Sequence, residues 1–405
     1  MSDRYKRITE LGWQRAVLQK ATVMVVGAGA LGNEVLKNLA LLGIGNILVV
    51  DMDTIESHNL TRTVLFGKAD IGKYKAEVAV KRVNEIDENV NIRAFVGSVQ
   101  SVFGMGVYKD CDIVFGCLDN IQARIDINRY CYQTNTLYID VGLRKLDGDV
   151  KIFGKGFEVC LDCILTQRMR NEAWRRYSCL KLRTRAIGVT IPTAPTIASI
   201  MAGFQVQIGM KYLHDADIPI GSRISVLGYI DDINKTRLSK NIACPTHNLY
   251  EAIPLNEIRK LPYRSDKMTV SQLLDIAEQE FGETASIELD YDLITHFECK
   301  KHKYQKNLFR RRGYVYADEV ECPYCKESGL TGSHLLMQEY FTNQINRHSP
   351  QYLLNQTLSD IGTPLYAIFR IKALRNDEMV YAFYEISGDR ELVFGLKNKK
   401  TGKHQ

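Results

Sequence analysis

A β-branched run, TVMVV at 22–26, is followed at once by GAGALG, which puts Gly27, Gly29 and Gly32 in the G-x-G-x-x-G spacing. NEVLKNLALLG then carries Val35, Leu36, Leu39 and Leu42 at helical intervals. ILVVD at 47–51 reads as a second buried strand ending in Asp51. This is a strand–helix–strand unit with an acid about 20 residues beyond the glycines. Such glycines let the backbone approach a phosphate. The helix start offers free N–H groups and the positive end of its dipole, and an acid at Asp51 can hold ribose hydroxyls. The expected fold class is α/β, a Rossmann-like doubly wound sheet. The usual owner of this spacing is an NAD enzyme.

The next stretch argues for a triphosphate instead. DMDTIESHNLTRTVLFGKADIGKYKAEVA (51–79) groups Arg62, Lys73 and Lys75 with Asn59 and a second acid, Asp53. A nicotinamide site wants an apolar slot and few cations, whereas nucleotidyl transfer needs cations to neutralise phosphate charge. Leu60, Phe66 and Ile71 are expected to anchor this loop. CDIVFGCLDN (111–120) reads as a further strand ending in Asp119 and Asn120, with Arg124 on the helix beyond. A carboxylate at that end faces the crevice where such sheets bind ligands, and Asp119 could hold Mg²⁺. It could equally cap the helix.

RYKR (4–7), GAGALG, DMDTI, NLTR (59–62), DIGKYKAE (70–77) and CLDNIQAR (117–124) occur in order, and residues 4–210 resemble the ubiquitin-activating enzyme superfamily, with its ThiF, MoeB and HesA proteins. The resemblance implies MgATP-dependent adenylation of the C-terminal glycine of a ubiquitin-fold protein. It implies that the residues around Gly29 cradle ATP, that Asp53 binds ribose, and that Asn59, Arg62 and the catalytic Lys75 contact phosphates. Asp119 would hold Mg²⁺, and Arg7 would reach into the partner's site of a homodimer. The usual N-L-x-R-Q departs here at Thr63.

Ten cysteines in a chain with no membrane-length apolar run and no signal-peptide start suggest a reducing, cytoplasmic protein whose thiols serve metal, catalysis or packing. Cys160-x-x-Cys163 and Cys244-Pro-Thr-His247 suit tetrahedral zinc. Many members of the superfamily carry two such knuckles, although His247 is a departure. Cys299-Lys-Lys-His302 and Cys322-Pro-Tyr-Cys325 form a second set, with RRRGYVYADEVE (310–321) expected as a zinc-ribbon hairpin. Ligands could also be shared differently among the four pairs. Both zincs would be structural. Cys111, Cys117 and Cys131 read as core thiols.

Cys179 remains, in RRYSCLKLRTR (175–185), where four arginines and a lysine favour thiolate. It is the single cysteine of 164–190, where the superfamily's crossover loop runs. The acceptor slot known from several relatives falls at Thr190. Cys179 is therefore the candidate for a thioester after adenylation.

The expected domains are 1–250, an adenylation unit with the first zinc site; 251–332, a small α/β segment with the zinc ribbon; and 333–405, an α+β unit that docks a partner or pads the dimer. SVLGYIDD (225–232) reads as one strand, 269–293 as helix then strand, 334–349 as helix, and 352–389 as helix then two strands. A net charge of +6 is too weak to argue for nucleic acid. Expected partners are a ubiquitin-like or sulfur-carrier protein and a conjugating enzyme. The zinc-rich second half resembles extensions in bacterial ubiquitin-like conjugation systems of the kind linked to antiviral defence. Activation of a sulfur carrier without an enzyme thioester, adenylation of a peptide or small molecule, and a nucleotide-sensing module are the alternatives.

Overall fold

The computed structural model describes residues 4–154, 156, 158–174, 192–312, 315–316, 319–330 and 332–395. The first sheet contains β1 (Thr22–Val26), β2 (Asn46–Asp51), β3 (Asn91–Val96), β4 (Ile113–Gly116), β5 (Leu137–Arg144), β6 (Asp147–Phe153), β7 (Ser222–Leu227) and β8 (Asp232–Arg237). Their order is β3-β2-β1-β4-β5-β6-β7-β8. The first five pair in parallel and the last three antiparallel.

Alternation along β1 explains the layers. Val23 and Val25 join one buried cluster with Leu36 and Leu39 of the helix Ala30–Leu42, whereas Met24 and Val26 face the opposite cluster. Both faces are thus covered, as a parallel sheet requires. The helix stops at Gly43, which takes the left-handed φ of 69° that suits glycine at a C-terminal cap.

The second sheet holds β9 (Arg259–Leu261), β10 (Ser286–Cys299), β11 (Gln305–Arg311), β12 (Met337–Ile345), β13 (Ile368–Arg375) and β14 (Glu378–Ile386). Its order is β11-β10-β13-β14-β9, with β12 also paired to β10. Strands from 251–332 and from 333–405 therefore share one sheet. The helix Val270–Phe281 covers one face, beginning at a Thr269–Gln272 capping box.

Three local expectations are corrected. Residues 334–349 are not helical: a short turn, Ser333–Leu336, leads into β12, which pairs with β10 from Ile287 to Cys299. Tyr340, Phe341 and Thr342 suit a strand, and the long partner strand outweighs the helical spacing. The hairpin expected within 310–321 is made by β10 and β11, with Cys299 and His302 at its turn. The stretch 225–232 is not one strand, since β7 ends at Leu227 and the chain reverses into β8. A side chain at Gly228 would meet the Leu146 carbonyl oxygen.

The two sheets share an apolar cluster in which Met24, Val26 and Tyr108 meet Tyr366, Ile368 and Val393. Polar ties flank it. Arg129 donates to the Asp290 carbonyl at 3.0 Å and pairs with its carboxylate at 3.2 Å, and Tyr130 donates to the same carboxylate. Fully buried Glu385 pairs with Lys109 at 2.8 Å. Arg129 is nearly buried, so Asp290→Ala would strand its charge. We expect a loss of about 3 kcal/mol or more, read as a fall in thermal midpoint; an unchanged midpoint would show that the tie contributes nothing.

Candidate functional site

The glycine turn packs against the end of β4. Gly27 has φ of 96°, and a Cβ there would lie 2.5 Å from the Cys117 carbonyl oxygen. A Cβ at Gly32 would overlap the Gly27 carbonyl. These two positions need glycine for the fold itself. Gly29 differs: a Cβ there would meet nothing within 4 Å, so the turn is open at this point.

Asp51 fixes the turn from β2. Its carboxylate accepts from the Ala28 N–H at 2.7 Å and the Asp53 N–H at 2.8 Å. Burial pushes this carboxyl above its ordinary range, opposed by the Lys75 charge and both N–H groups. Asp51 thus shapes the loop, while the Asp53 side chain stays 61% exposed. Asn33, fully buried and not singled out from sequence, donates to the Ala28 and Gly29 carbonyls at 2.7 and 3.0 Å and accepts from the Leu65 N–H at 2.9 Å. Only an uncapped amide inside a buried helix marks it in the sequence.

The loop after β2 pairs with the segment before the helix Lys75–Ile86 through a Thr54–Tyr74 bridge. This brings Lys75 Nζ to 2.8 Å from Asp53 Oδ2, with the lysine nearly buried and the acid at the mouth. Asn59 is buried, and its side-chain oxygen accepts from the Glu56 N–H at 2.9 Å. Arg62 is half-buried and has no ion pair among the described residues. Phe66 is buried and Leu60 partly so, but Ile71 is 48% exposed and anchors nothing.

Asp70 organises the turn leading to Lys75. Its carboxylate accepts from the Gly67 N–H at 3.0 Å and pairs with Lys73 and Arg82 at 3.1 Å each. These contacts, the Gly67 N–H foremost, hold it down at about 2 against an ordinary 3.8.

Asp119, at the same C-terminal edge of the parallel strands, is exposed and makes no hydrogen bond or ion pair among the described residues. The helix cap is Asn120, whose side-chain oxygen accepts from Gln122 and Ala123 N–H groups at 2.9 and 3.4 Å. The cap role considered for Asp119 therefore belongs to its neighbour. Arg7 lies exposed on the short helix Lys6–Glu10, and no hydrogen bond or ion pair links it to this cluster. Cys179 and Thr190 lie outside the described residues.

Cys160, Cys163, Cys244 and His247 converge, as do Cys299, His302, Cys322 and Cys325. This is the grouping expected from spacing. Tetrahedral zinc with Zn–S of about 2.3 Å sets sulfur ligands about 3.8 Å apart. The observed Sγ–Sγ distances are 3.9 Å for Cys160–Cys163, 3.6 Å for Cys160–Cys244 and 3.8 Å for Cys299–Cys325. His247 Nδ1 lies 3.4 Å from Cys163 Sγ, and His302 Nδ1 lies 3.3 Å from Cys325 Sγ. Both quartets fit zinc. Asp162, buried between two of the ligands, accepts from the Thr246 N–H and hydroxyl at 3.1 Å each and pairs with Arg170. Cys111 and Cys131 are buried and Cys117 half-buried, with burial raising each thiol.

A family model described as the ThiF family matches residues 4–246. SUMO-activating enzyme subunit 2 of Dictyostelium discoideum is 41% identical over 166 residues, 40% of this chain and 25% of that protein. The Nedd8-activating enzyme E1 catalytic subunit of Drosophila melanogaster is 37% identical over 159 residues, 36% of this chain and 35% of that one. The chain thus spans a quarter to about a third of these relatives. The crystal structure of E. coli MccB with MccA-N7isoASN superposes with a TM-score of 0.50 at 22% identity, covering 61% of this chain and 75% of the other. At that identity the likeness concerns the fold.

Two measurements follow from this geometry. Asp70 is stabilising when ionised, so its contribution is present above pH 4 and is lost as pH falls toward about 2. Asp70→Asn should cost about 2 kcal/mol at pH 7, and the gap from wild type should close in acid; a gap independent of pH would disprove the assignment. Elemental analysis should give two zinc ions per chain, falling to one in Cys244→Ser and in Cys322→Ser separately. A wild-type value below one would refute both sites.

Proposed function

Because the chain belongs to the ThiF family, we propose that it uses MgATP to adenylate the C-terminal carboxylate of a ubiquitin-like protein. The observation that carries this reading is the meeting of an open glycine turn, the Lys75 ammonium and Asp53 at one mouth, with Asp119, which makes no hydrogen bond or ion pair among the described residues, on the same sheet edge. The names of the SUMO- and Nedd8-activating relatives support a ubiquitin-like partner.

In this reading one oxygen of the carrier's carboxylate attacks the α-phosphorus of ATP. The bond to the β-phosphate bridging oxygen breaks, and pyrophosphate leaves. No general base is needed, because the carboxylate is already ionised. What the reaction needs is charge neutralisation and alignment of two anions. Lys75, Arg62 and Asn59 face the phosphates, Gly27, Gly29 and Gly32 let them approach, and Asp53 receives the ribose. Asp51 supports that contact by fixing the loop, and Asn120 has its amide nitrogen left for a ligand. Asp119 would hold Mg²⁺, which neutralises phosphate charge when bound. Arg7 serves the opposite site of a homodimer, a role supported by its exposure and by its making no ion pair among the described residues.

The second step assigns the basic segment. The Cys179 thiolate attacks the acyl carbonyl, AMP leaves, and a thioester remains for transfer to a conjugating enzyme's thiol; the thiol proton passes to solvent. Support comes from the cations flanking Cys179. Thr190 at the acceptor slot favours the second reading, a sulfur-carrier adenylyltransferase without this thioester. Both zinc sites are structural here, since each offers four protein ligands and no open position. A cytoplasmic location fits a reducing compartment for these thiols; no helix among the described residues is long and apolar enough to cross a membrane. Membership of a bacterial conjugation system linked to antiviral defence completes the proposal. A gene for a glycine-ending ubiquitin-fold protein beside those for a conjugating enzyme and a metalloprotease would support it.

ATP–pyrophosphate exchange that requires the carrier should fall about 100-fold or more in Lys75→Ala and Asp119→Ala. Exchange unchanged in both would sink the adenylation reading. A thiol-sensitive adduct with the carrier should vanish in Cys179→Ala; its survival would exclude Cys179, and no adduct in wild type would favour the sulfur-carrier reading.

A further inference from the structure

Asp119 sits on a peptide that is held from both sides. On its C-terminal side Asn120 is locked as a helix cap. On its N-terminal side the Leu118 carbonyl accepts from Arg124, from Nε at 2.9 Å and also from a terminal nitrogen. The same guanidinium donates to the Val141 carbonyl on β5 at 2.9 Å and pairs with Asp140 at 3.4 Å. Asp140 is fully buried and has two further partners: the Tyr138 hydroxyl donates at 2.9 Å, and Lys151 lies at 3.5 Å. Burial opposes the Arg124 charge, but the neighbouring carboxylates, Asp140 foremost, outweigh it.

We infer that Arg124 is a positioning residue for the divalent cation: by bracing the Leu118 carbonyl against β5 it sets the direction in which Asp119 presents its carboxylate. A lysine could reach one of these acceptors, but the planar fork reaches two carbonyls and a carboxylate together. A ligand carboxylate on an unbraced loop has to be ordered when the metal binds, so its affinity falls. Asp119 makes no hydrogen bond or ion pair of its own among the described residues, so its orientation depends on the peptide that carries it. Arg124 touches neither nucleotide nor metal in this scheme. The inference rests on the proposed role of Asp119.

The test is ATP binding by the full-length protein, followed calorimetrically with and without Mg²⁺, using ATP and Mg²⁺ alone as probes. Wild type should bind ATP more tightly when Mg²⁺ is present. Arg124→Gln should lose about 10-fold of that Mg²⁺-dependent gain while its affinity for metal-free ATP stays unchanged. Arg124→Lys should recover part of the gain. Asp140→Asn, which keeps the guanidinium but weakens its buried anchor, should show an intermediate loss and serves if Arg124→Gln does not fold, as judged by circular dichroism. A full Mg²⁺ gain in the folded variants would overturn the inference, as would an equal loss with and without metal. Asp119→Ala separates the two failures: if it too retains the gain, the cation role of Asp119 is what fails.

Discussion

The carboxylate of Asp51 holds the ligand edge of the first sheet together. It accepts one N–H from the glycine turn and one from the loop that carries Asp53. Two segments from different strands are thereby fixed to the end of β2. Burial of this anion is unfavourable, and its carboxyl is displaced upward accordingly. The two N–H contacts and the nearby Lys75 charge offset that cost. Asn33 completes the frame from the helix side by binding two carbonyls of the same turn.

The two cysteine–histidine quartets act on longer segments. The first joins residues 160–163 to 244–247, more than 80 positions apart, beneath the helix Ile121–Thr134. Asn128 of that helix accepts from the Leu161 N–H at 2.8 Å, which ties the knuckle to the element that begins just after Asp119. The second quartet closes the far end of β10. That strand is 14 residues long and runs from the main part of the second sheet out to Cys299. A small hydrophobic cluster of Ile294, Phe297, Val315 and Val320 surrounds these ligands. So small a cluster gives limited burial, and four metal bonds would supply the remaining order.

Legibility from sequence followed the range of the interactions. The strand–glycine–helix unit was readable because two short apolar runs, a helical spacing of apolar residues and three glycines act within about 30 residues. The zinc quartets were readable because each contributes two short pairs. The strand β12 was not, since its state is decided by pairing with a segment nearly 50 residues earlier. Asn33, Asp70 and Arg124 were not assigned roles for a similar reason: each acts on backbone groups or charges that only the fold brings near. The exchange of roles between Asp119 and Asn120 turned on one position, which spacing alone cannot resolve at a helix start.

The Lys75–Asp53 pair links this frame to the proposed chemistry. In the protein alone, the nearly buried ammonium has an exposed carboxylate at 2.8 Å as its counter-ion. The pair therefore holds the amine in place before any ligand arrives. A triphosphate carries several negative charges and competes for the same ammonium, so Asp53 must release at least part of that contact. Ribose hydroxyls can donate to the carboxylate as it does so. Binding would then exchange one internal ion pair for a phosphate contact and a ribose contact, with no charge left unpaired. A dinucleotide with its own adenosine ribose would satisfy Asp53 equally well. In the proposed reading, the preference for a triphosphate would therefore lie with Lys75, Arg62 and Asp119, the three groups whose charges match phosphates and their metal.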